Sequence, residues 1–231
     1  MKRIISMCLS AVLLLSLCAT GAAKTAQAEE KQKVIVIDAG HQTRAMSATE
    51  PIGPGSSQRK AKVTGGASGC VTHLPEYKLN LQVAKRLQKE LVNRGYKVIM
   101  VRTKNNVRMS NVQRAKVANK YKADAFIRIH ANSAGSSSVK GALTIAPASN
   151  NRKASQKLSK KVLKAMCKTT GAKNRGVMYT NSMTGINWCK VPVTIVEMGF
   201  MSNPSEDRKM AKASYQKKIV KGIADGIDNF F

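Results

Sequence analysis

The chain has 231 residues and a formal net charge of +28 at pH 7, from 40 Lys and Arg against 12 Asp and Glu. The length suits one domain, and the scattered cysteines, none in a C-x-x-C pair, argue against a disulfide framework and against a thiolate zinc site. So large an excess of positive charge favours an anionic partner.

The N-terminus has the pattern of an export signal. A basic start precedes the apolar run 4–19, and Ala-Gln-Ala at 26–28 fits a small-x-small cleavage site. We therefore predict a signal peptide over 1–28 and a folded domain over 29–231 that is secreted and acts in the extracytoplasmic cell wall. A lipid anchor at Cys18 and an uncleaved membrane anchor are the alternatives. An exported chain also makes anionic cell-wall polymers better partners than nucleic acid.

The first predicted strand, Val34 to Ile37, consists of four β-favouring apolar residues and indicates a strand buried on both faces. Residues 42–75 are rich in Gly, Ser and Pro and lack periodicity, so we predict a long irregular loop that forms a wall of a site. A helix follows over 75–94, because apolar residues recur there at four-residue spacing and Gly95 is a natural stop.

The remaining predicted elements alternate between strands and helices. They are strands near 96–101, 126–130, 139–146, 177–179 and 193–197, helices near 110–121 and 151–169, and two short C-terminal helices that begin at a capping box over 203–206. This alternation predicts the α/β class: a single domain with a mainly parallel or mixed central sheet of about six strands, flanked by helices on both faces.

Three of the predicted strands end in side chains suited to metal binding or proton transfer. They deliver His41, His130 and Glu197 to the carboxyl edge of the sheet, where open α/β sheets bind ligands. Two imidazoles and a carboxylate are a common ligand set for catalytic zinc. The spacing does not decide between Glu76 and Asp38 as the carboxylate.

Four ordered blocks carry a resemblance to a known family. They are D-A-G-H-Q, L-P-E-Y-K-L-N-L, I-R-I-H-A-N-S and V-E-M-G-F-M-S-N-P-S-E-D. Together they resemble the signature blocks of the zinc-dependent N-acetylmuramoyl-L-alanine amidases of the type-3 amidase family, over essentially the whole predicted domain. The resemblance implies one α/β domain around a mixed sheet.

The resemblance also implies the chemistry. In that family, the residues matching His41, Glu76 and His130 bind Zn²⁺, and the residue matching Glu197 is the catalytic acid/base. The implied reaction is hydrolysis of the amide bond between the lactyl group of N-acetylmuramic acid and L-alanine in peptidoglycan. We expect a monomer with no cofactor other than the metal.

The sequence departs from the family pattern at His73 and Arg128, where small or apolar residues are usual. We interpret His73 as a loop residue without a role, whereas Arg128 either meets carboxylates of the substrate or lines an exposed sheet edge. Trp188 either stacks on a sugar or fills a junction between sheet and loop. The alternatives for function are a zinc peptidase that cuts within the stem peptide and a non-catalytic, basic wall-binding protein.

Overall fold

A computed structural model describes residues 32–149 and 152–231. The predicted signal peptide over 1–28 lies outside the described residues. None of the helices in the described ranges combines the length and the apolarity needed to cross a bilayer.

The elements follow one another along the chain in the predicted alternation. The strands are β1 (Val34–Ala39), β2 (Met46–Pro51), β3 (Arg59–Val63), β4 (Lys97–Met100), β5 (Ala125–Asn132), β6 (Ala142–Pro147), β7 (Asn174–Thr180) and β8 (Val193–Phe200). The helices are α1 (Glu76–Asn93), α2 (Asn111–Lys120), α3 (Lys153–Thr170), α4 (Thr184–Asn187), α5 (Pro204–Ala211) and α6 (Ala213–Asp228).

The central sheet has six strands in the order β4-β1-β5-β8-β6-β7. Neighbouring strands are parallel except for β6 and β8, which pair antiparallel. The prediction of a mixed six-stranded sheet is therefore confirmed. The longest apolar strands, β1, β5 and β8, occupy adjacent central positions, as expected for strands that are buried on both faces.

Side chains alternate between the two faces of these central strands, and each face has its own apolar core. Ile35, Ile37 and Ile129 pack with α1, α3, α5 and α6 in the larger core. Val36 and Phe126 belong to the smaller core, together with residues of α2 and α4. The face with the smaller core carries fewer helices, and this leaves room for a cavity.

The prediction of an irregular loop over 42–75 is wrong in part. β2 and β3 lie within it and pair antiparallel as a separate two-stranded sheet, with a register irregularity between Met46 and Thr49. Neither strand has a clear alternation of apolar and polar residues, because β2 ends in Glu50 and Pro51 and β3 begins with Arg59 and Lys60. β3 nevertheless lines the cavity described below, so the expectation that this segment forms a wall is confirmed.

The C-terminal helices differ from the prediction in two ways. Asn203 caps α5 by accepting hydrogen bonds from the backbone N–H groups of Ser205 and Glu206. The Glu206 carboxylate does not complete the capping box, because it accepts from the N–H groups of Gly141 and Phe200 instead. In addition, α6 is not short, since it has 16 residues.

Candidate active site

The alternation of the central strands places a group of polar side chains on one face. Arg128 and His130 are two residues apart on β5, and Glu197 on β8 is the register partner of His130. They line a cavity of about 450 Å³, together with His41 and, from β3 and the residue after it, Val63 and Thr64. Strands β5 and β8 extend beyond His130 and Glu197, so these two residues lie inside the strands rather than at their ends.

Two of the side chains that line this cavity, His41 and His130, meet a third, Glu76. His41, Glu76 and His130 each offer a ligand atom, and these atoms lie within 4.8 Å of one another. His41 Nε2 is 3.2 Å from Glu76 Oε2, and His130 Nδ1 is 3.2 Å from Glu76 Oε1. A single carboxylate therefore faces both imidazoles, one oxygen to each.

Neighbouring groups hold each of these side chains in place. The carbonyl oxygen of Thr64 accepts a hydrogen bond from His41 Nδ1 at 2.9 Å, which leaves His41 Nε2 without a proton in the neutral ring. The Glu76 carboxylate accepts from the Ala67 and Ala131 N–H groups and from the Asn80 amide. Such outer partners fix the tautomer and the orientation of metal ligands.

The local electrostatics keep the cluster in the protonation state that a metal requires. Burial opposes ionisation of Glu76, but the hydrogen bond with His130 and the contact with His41 outweigh it and hold the pKa of Glu76 well below its usual range. Burial lowers the pKa of His130 to about 4, although the Glu76 carboxylate partly opposes this shift. At neutral pH the cluster therefore offers an ionised carboxylate and a neutral His130 imidazole.

Two glycines allow the backbone to approach the cluster closely. A Cβ at Gly40 would come closer than 3.0 Å to three ring atoms of His130. Gly66, at φ +80, would likewise bring a Cβ closer than 3.0 Å to Glu76 Oε2 and His41 Cγ. His41 itself has φ 59, in the left-handed region that non-glycine residues rarely adopt and that is found most often at functional sites.

Glu197 lies in the same cavity in an unusual environment. Its Oε2 atom is buried and has no hydrogen-bond partner among the described residues. Burial and the nearby charge of Glu76 raise the pKa of Glu197 to about 8, while Arg128 opposes the shift. A carboxyl group with a pKa near neutrality can both accept and donate a proton, which is the property that acid/base catalysis needs.

The residues present fit a zinc ion. Two imidazoles and one carboxylate are a known donor set for catalytic zinc, and the adjoining cavity gives access for water and substrate. His130 Nε2 is buried and has no partner within the described part of the chain, as expected of an atom placed for a ligand outside the protein.

Asp38, the other carboxylate considered from the sequence, is occupied elsewhere. Its Oδ1 accepts from Arg114 Nη1 at 2.6 Å, and its Oδ2 accepts from Arg128 Nε at 3.0 Å. Burial opposes ionisation of Asp38, but the two guanidinium groups outweigh it and keep the pKa of Asp38 well below its usual range. Sequence reasoning missed Arg114, since a lysine- and arginine-rich helix gives no sign of which cation turns inward.

The structure also places the residues whose roles were left open. Arg128 is buried in the central strand β5, so the exposed-edge interpretation is wrong. Trp188 donates from Nε1 to the carbonyl oxygen of Pro51 at 2.9 Å and packs in the smaller core, which favours the junction-filling interpretation. His73 does not belong to the metal-type cluster. The three described cysteines are free thiols.

Comparisons with known proteins identify the family to which the chain is similar. The family model described as N-acetylmuramoyl-L-alanine amidase matches residues 35–229. N-acetylmuramoyl-L-alanine amidase LytC of Bacillus subtilis is 30% identical over 158 residues, covering 68% of this chain but 32% of its own length, so the chain spans about a third of that relative.

Two solved structures are similar over nearly their whole length. The catalytic domain of CwlV, an N-acetylmuramoyl-L-alanine amidase from Bacillus (Paenibacillus) polymyxa var. colistinus, is 31% identical, with a TM-score of 0.71 and coverage of 86% of this chain and 98% of its own. The amidase Ami1 from Mycobacterium smegmatis has a TM-score of 0.78 at 22% identity, covering 86% of this chain and 96% of its own, and supports the fold alone.

Proposed function

The chain belongs to the N-acetylmuramoyl-L-alanine amidase family, and we propose that it hydrolyses the amide bond between the lactyl group of N-acetylmuramic acid and the first L-alanine of the peptidoglycan stem peptide. The observation that carries the proposal is the cluster of His41, Glu76 and His130 beside a cavity that His41, His130 and Glu197 line. These are the four residues that the resemblance assigns to metal binding and to acid/base catalysis.

In this proposal, His41, Glu76 and His130 hold one zinc ion. When bound, zinc supplies Lewis acidity, which makes water a stronger acid near neutral pH and stabilises negative charge on the scissile carbonyl oxygen. The chain supplies the positions of the ligands. Thr64 and Asn80 orient His41 and Glu76, and the left-handed backbone at His41 turns its ring toward the other two ligands.

Glu197 carries the proton transfers. It accepts a proton from the attacking water and then donates it to the nitrogen of L-alanine, because an amine leaves poorly until it is protonated. The environment supports both steps. Burial favours the neutral acid, whereas neighbouring positive charge, including that of Arg128, favours the carboxylate, so neither form is strongly preferred.

The setting of the reaction follows from the relatives and from the charge. Relatives named as cell wall amidases, such as LytH of Staphylococcus epidermidis at 26% identity over 87% of this chain, support action outside the cytoplasm. We infer that residues 1–28 direct export and that the chain acts as a monomer. A net charge of +28 favours accumulation on the anionic polymers of the wall.

The test is the identity of the new chain end. Purified wall digested by the protein should show new N-terminal L-alanine after dinitrophenyl labelling, with no rise in reducing sugars. A chelator should abolish the new ends, and Zn²⁺ should restore them. New amines on any other residue would instead indicate a peptidase that acts within the stem peptide. If no new chain ends form, the alternative of a non-catalytic wall-binding protein would be favoured.

A further inference from the structure

One charged side chain in the cavity takes no direct part in the proposed metal binding or proton transfers. Arg128 lines the cavity together with His130 and Glu197. We propose that Arg128 is a specificity-determining residue, which binds the free α-carboxylate of the second stem-peptide residue, D-glutamate. This inference rests on the proposed amidase function and deepens it by naming a substrate feature.

The hydrogen bonds of three neighbouring arginines show that Arg128 is different. All three guanidinium nitrogens of Arg102 donate hydrogen bonds to backbone carbonyl or side-chain amide oxygens. All three of Arg114 likewise donate, to Asp38, to Gln42 and to backbone carbonyls. Arg128 donates from Nε to Asp38 and from Nη2 to Asn111 Oδ1 at 2.9 Å. Its Nη1 has no acceptor among the described residues.

The absence of a side chain at Gly185 leaves room for Arg128 Nη1. Arg128 Nη1 approaches Gly185 in α4, where an added Cβ would come closer than 3.0 Å to it. Gly185 and Arg128 both line the cavity, and Arg128 is only 4% exposed. Because Asp38 and Asn111 already fix Nε and Nη2, the guanidinium is rigid, and a ligand would lose little side-chain entropy in binding Nη1.

The charge balance of this region favours an anion. Asp38 is one carboxylate shared by two buried guanidinium groups, those of Arg114 and Arg128. Arg102 is also buried and makes its hydrogen bonds to neutral oxygens. Three buried guanidinium groups therefore lie around one carboxylate, and positive charge that is only partly balanced becomes more favourable when a ligand supplies an anion. A carboxylate is the anion that a guanidinium N–H group binds well.

The distance between Arg128 and His130 indicates which carboxylate of the substrate Arg128 binds. Arg128 and His130 are two residues apart on the same face of β5, a separation of about 7 Å along a strand. An extended peptide covers that distance in about two residues. The second stem residue, D-glutamate, continues the chain through its side-chain carboxyl and so leaves its α-carboxylate free, two residues from the scissile bond.

The experiment compares two soluble substrates that differ at one group. Both are N-acetylmuramoyl tripeptides, one with D-glutamate and the other with its α-carboxyl amidated as D-isoglutamine. We expect the holoenzyme to cleave the acid with a kcat/KM about 10- to 100-fold above that for the amide, the range for a hydrogen bond to a charged group. Arg128→Ser should bring the ratio of the acid value to the amide value close to one, whatever its effect on overall turnover through Glu197, whereas Arg128→Lys should keep part of the preference.

Two controls keep the result specific. Lys60 also lines the cavity and donates to the Ser182 carbonyl, so Lys60→Gln removes a nearby charge and should leave the ratio unchanged. Calorimetric binding of both peptides to Glu197→Gln protein gives the same ratio without catalysis, so it tests Arg128 even if L-alanine is never released. No preference in the unaltered protein, an unchanged ratio in Arg128→Ser, or an equal loss for both substrates would overturn the proposal.

Discussion

Replacing Gly40 with Ala tests whether close packing at the cluster sets the position of His130. The added methyl group would come closer than 3.0 Å to Cε1, Nε2 and Nδ1 of His130, so the whole ring must move. The ring has little room, because His130 lies on the central strand β5 and its Nδ1 faces Glu76. Overpacking of this kind costs about 1–3 kcal/mol of unfolding free energy.

We therefore expect Gly40→Ala to fold, with a melting temperature lower by roughly 2–12 °C, and to lose most of its zinc. Metal per chain is measured by mass spectrometry after dialysis against limiting zinc, and the melting temperature is measured with chelator present. Gly65→Ala is the matched control, since a Cβ there would meet nothing within 4 Å. Normal zinc affinity in Gly40→Ala would refute the assignment of His130 as a ligand, and an unchanged melting temperature would refute the packing argument.

Three further outcomes are expected. Glu197→Gln should keep its fold and zinc but lose roughly 10²- to 10⁴-fold in kcat, measured as L-alanine ends released, since Gln cannot accept the proton; near-normal turnover would show that another base acts. Asp38→Asn should cost about 3–5 kcal/mol at pH 7 by urea unfolding. Because folding lowers the pKa of Asp38, its contribution to the free energy of unfolding is present above pH 4 and is lost as pH falls. The difference in unfolding free energy between the unaltered protein and Asp38→Asn should therefore shrink in acid. A difference that does not depend on pH would contradict this. Co-sedimentation with insoluble wall should weaken steeply above about 0.15 M salt, where screening acts within about 8 Å, and binding unchanged in molar salt would remove charge from the explanation.

Much of the fold was predictable because the central strands are locally unambiguous. β1 begins with four apolar residues in a row, β8 begins with Val-Thr-Ile-Val, and several helices have clear apolar stripes, so pattern and tertiary structure agree. The strand alternation also contained information about the cavity, since residues two apart on β5 must share a face. Applied to Arg128 and His130, it would have placed the arginine beside the cluster rather than at an edge.

The remaining features depend on contacts between residues distant in sequence. The β2–β3 sheet lacks clear alternation, and its strands form where Trp188 and α2 cover them, through hydrogen bonds such as that from Asn111 to the Lys62 carbonyl. The spacing of residues in the sequence likewise could not predict that Glu76, rather than Asp38, joins the two histidines. It depends on Arg114, which lies 76 residues from Asp38 in the chain and occupies that carboxylate.

The order of the strands in space has a consequence for biosynthesis. β8 is the last strand to be synthesised, yet it lies between β5 and β6 and is the only element that joins β4-β1-β5 to β6-β7 within the described sheet. A nascent chain that stops before residue 193 contains His41, Glu76 and His130 but lacks Glu197. Pairing of such distant segments is slow. The lytic activity that we propose therefore cannot arise until almost all of the polypeptide has been made.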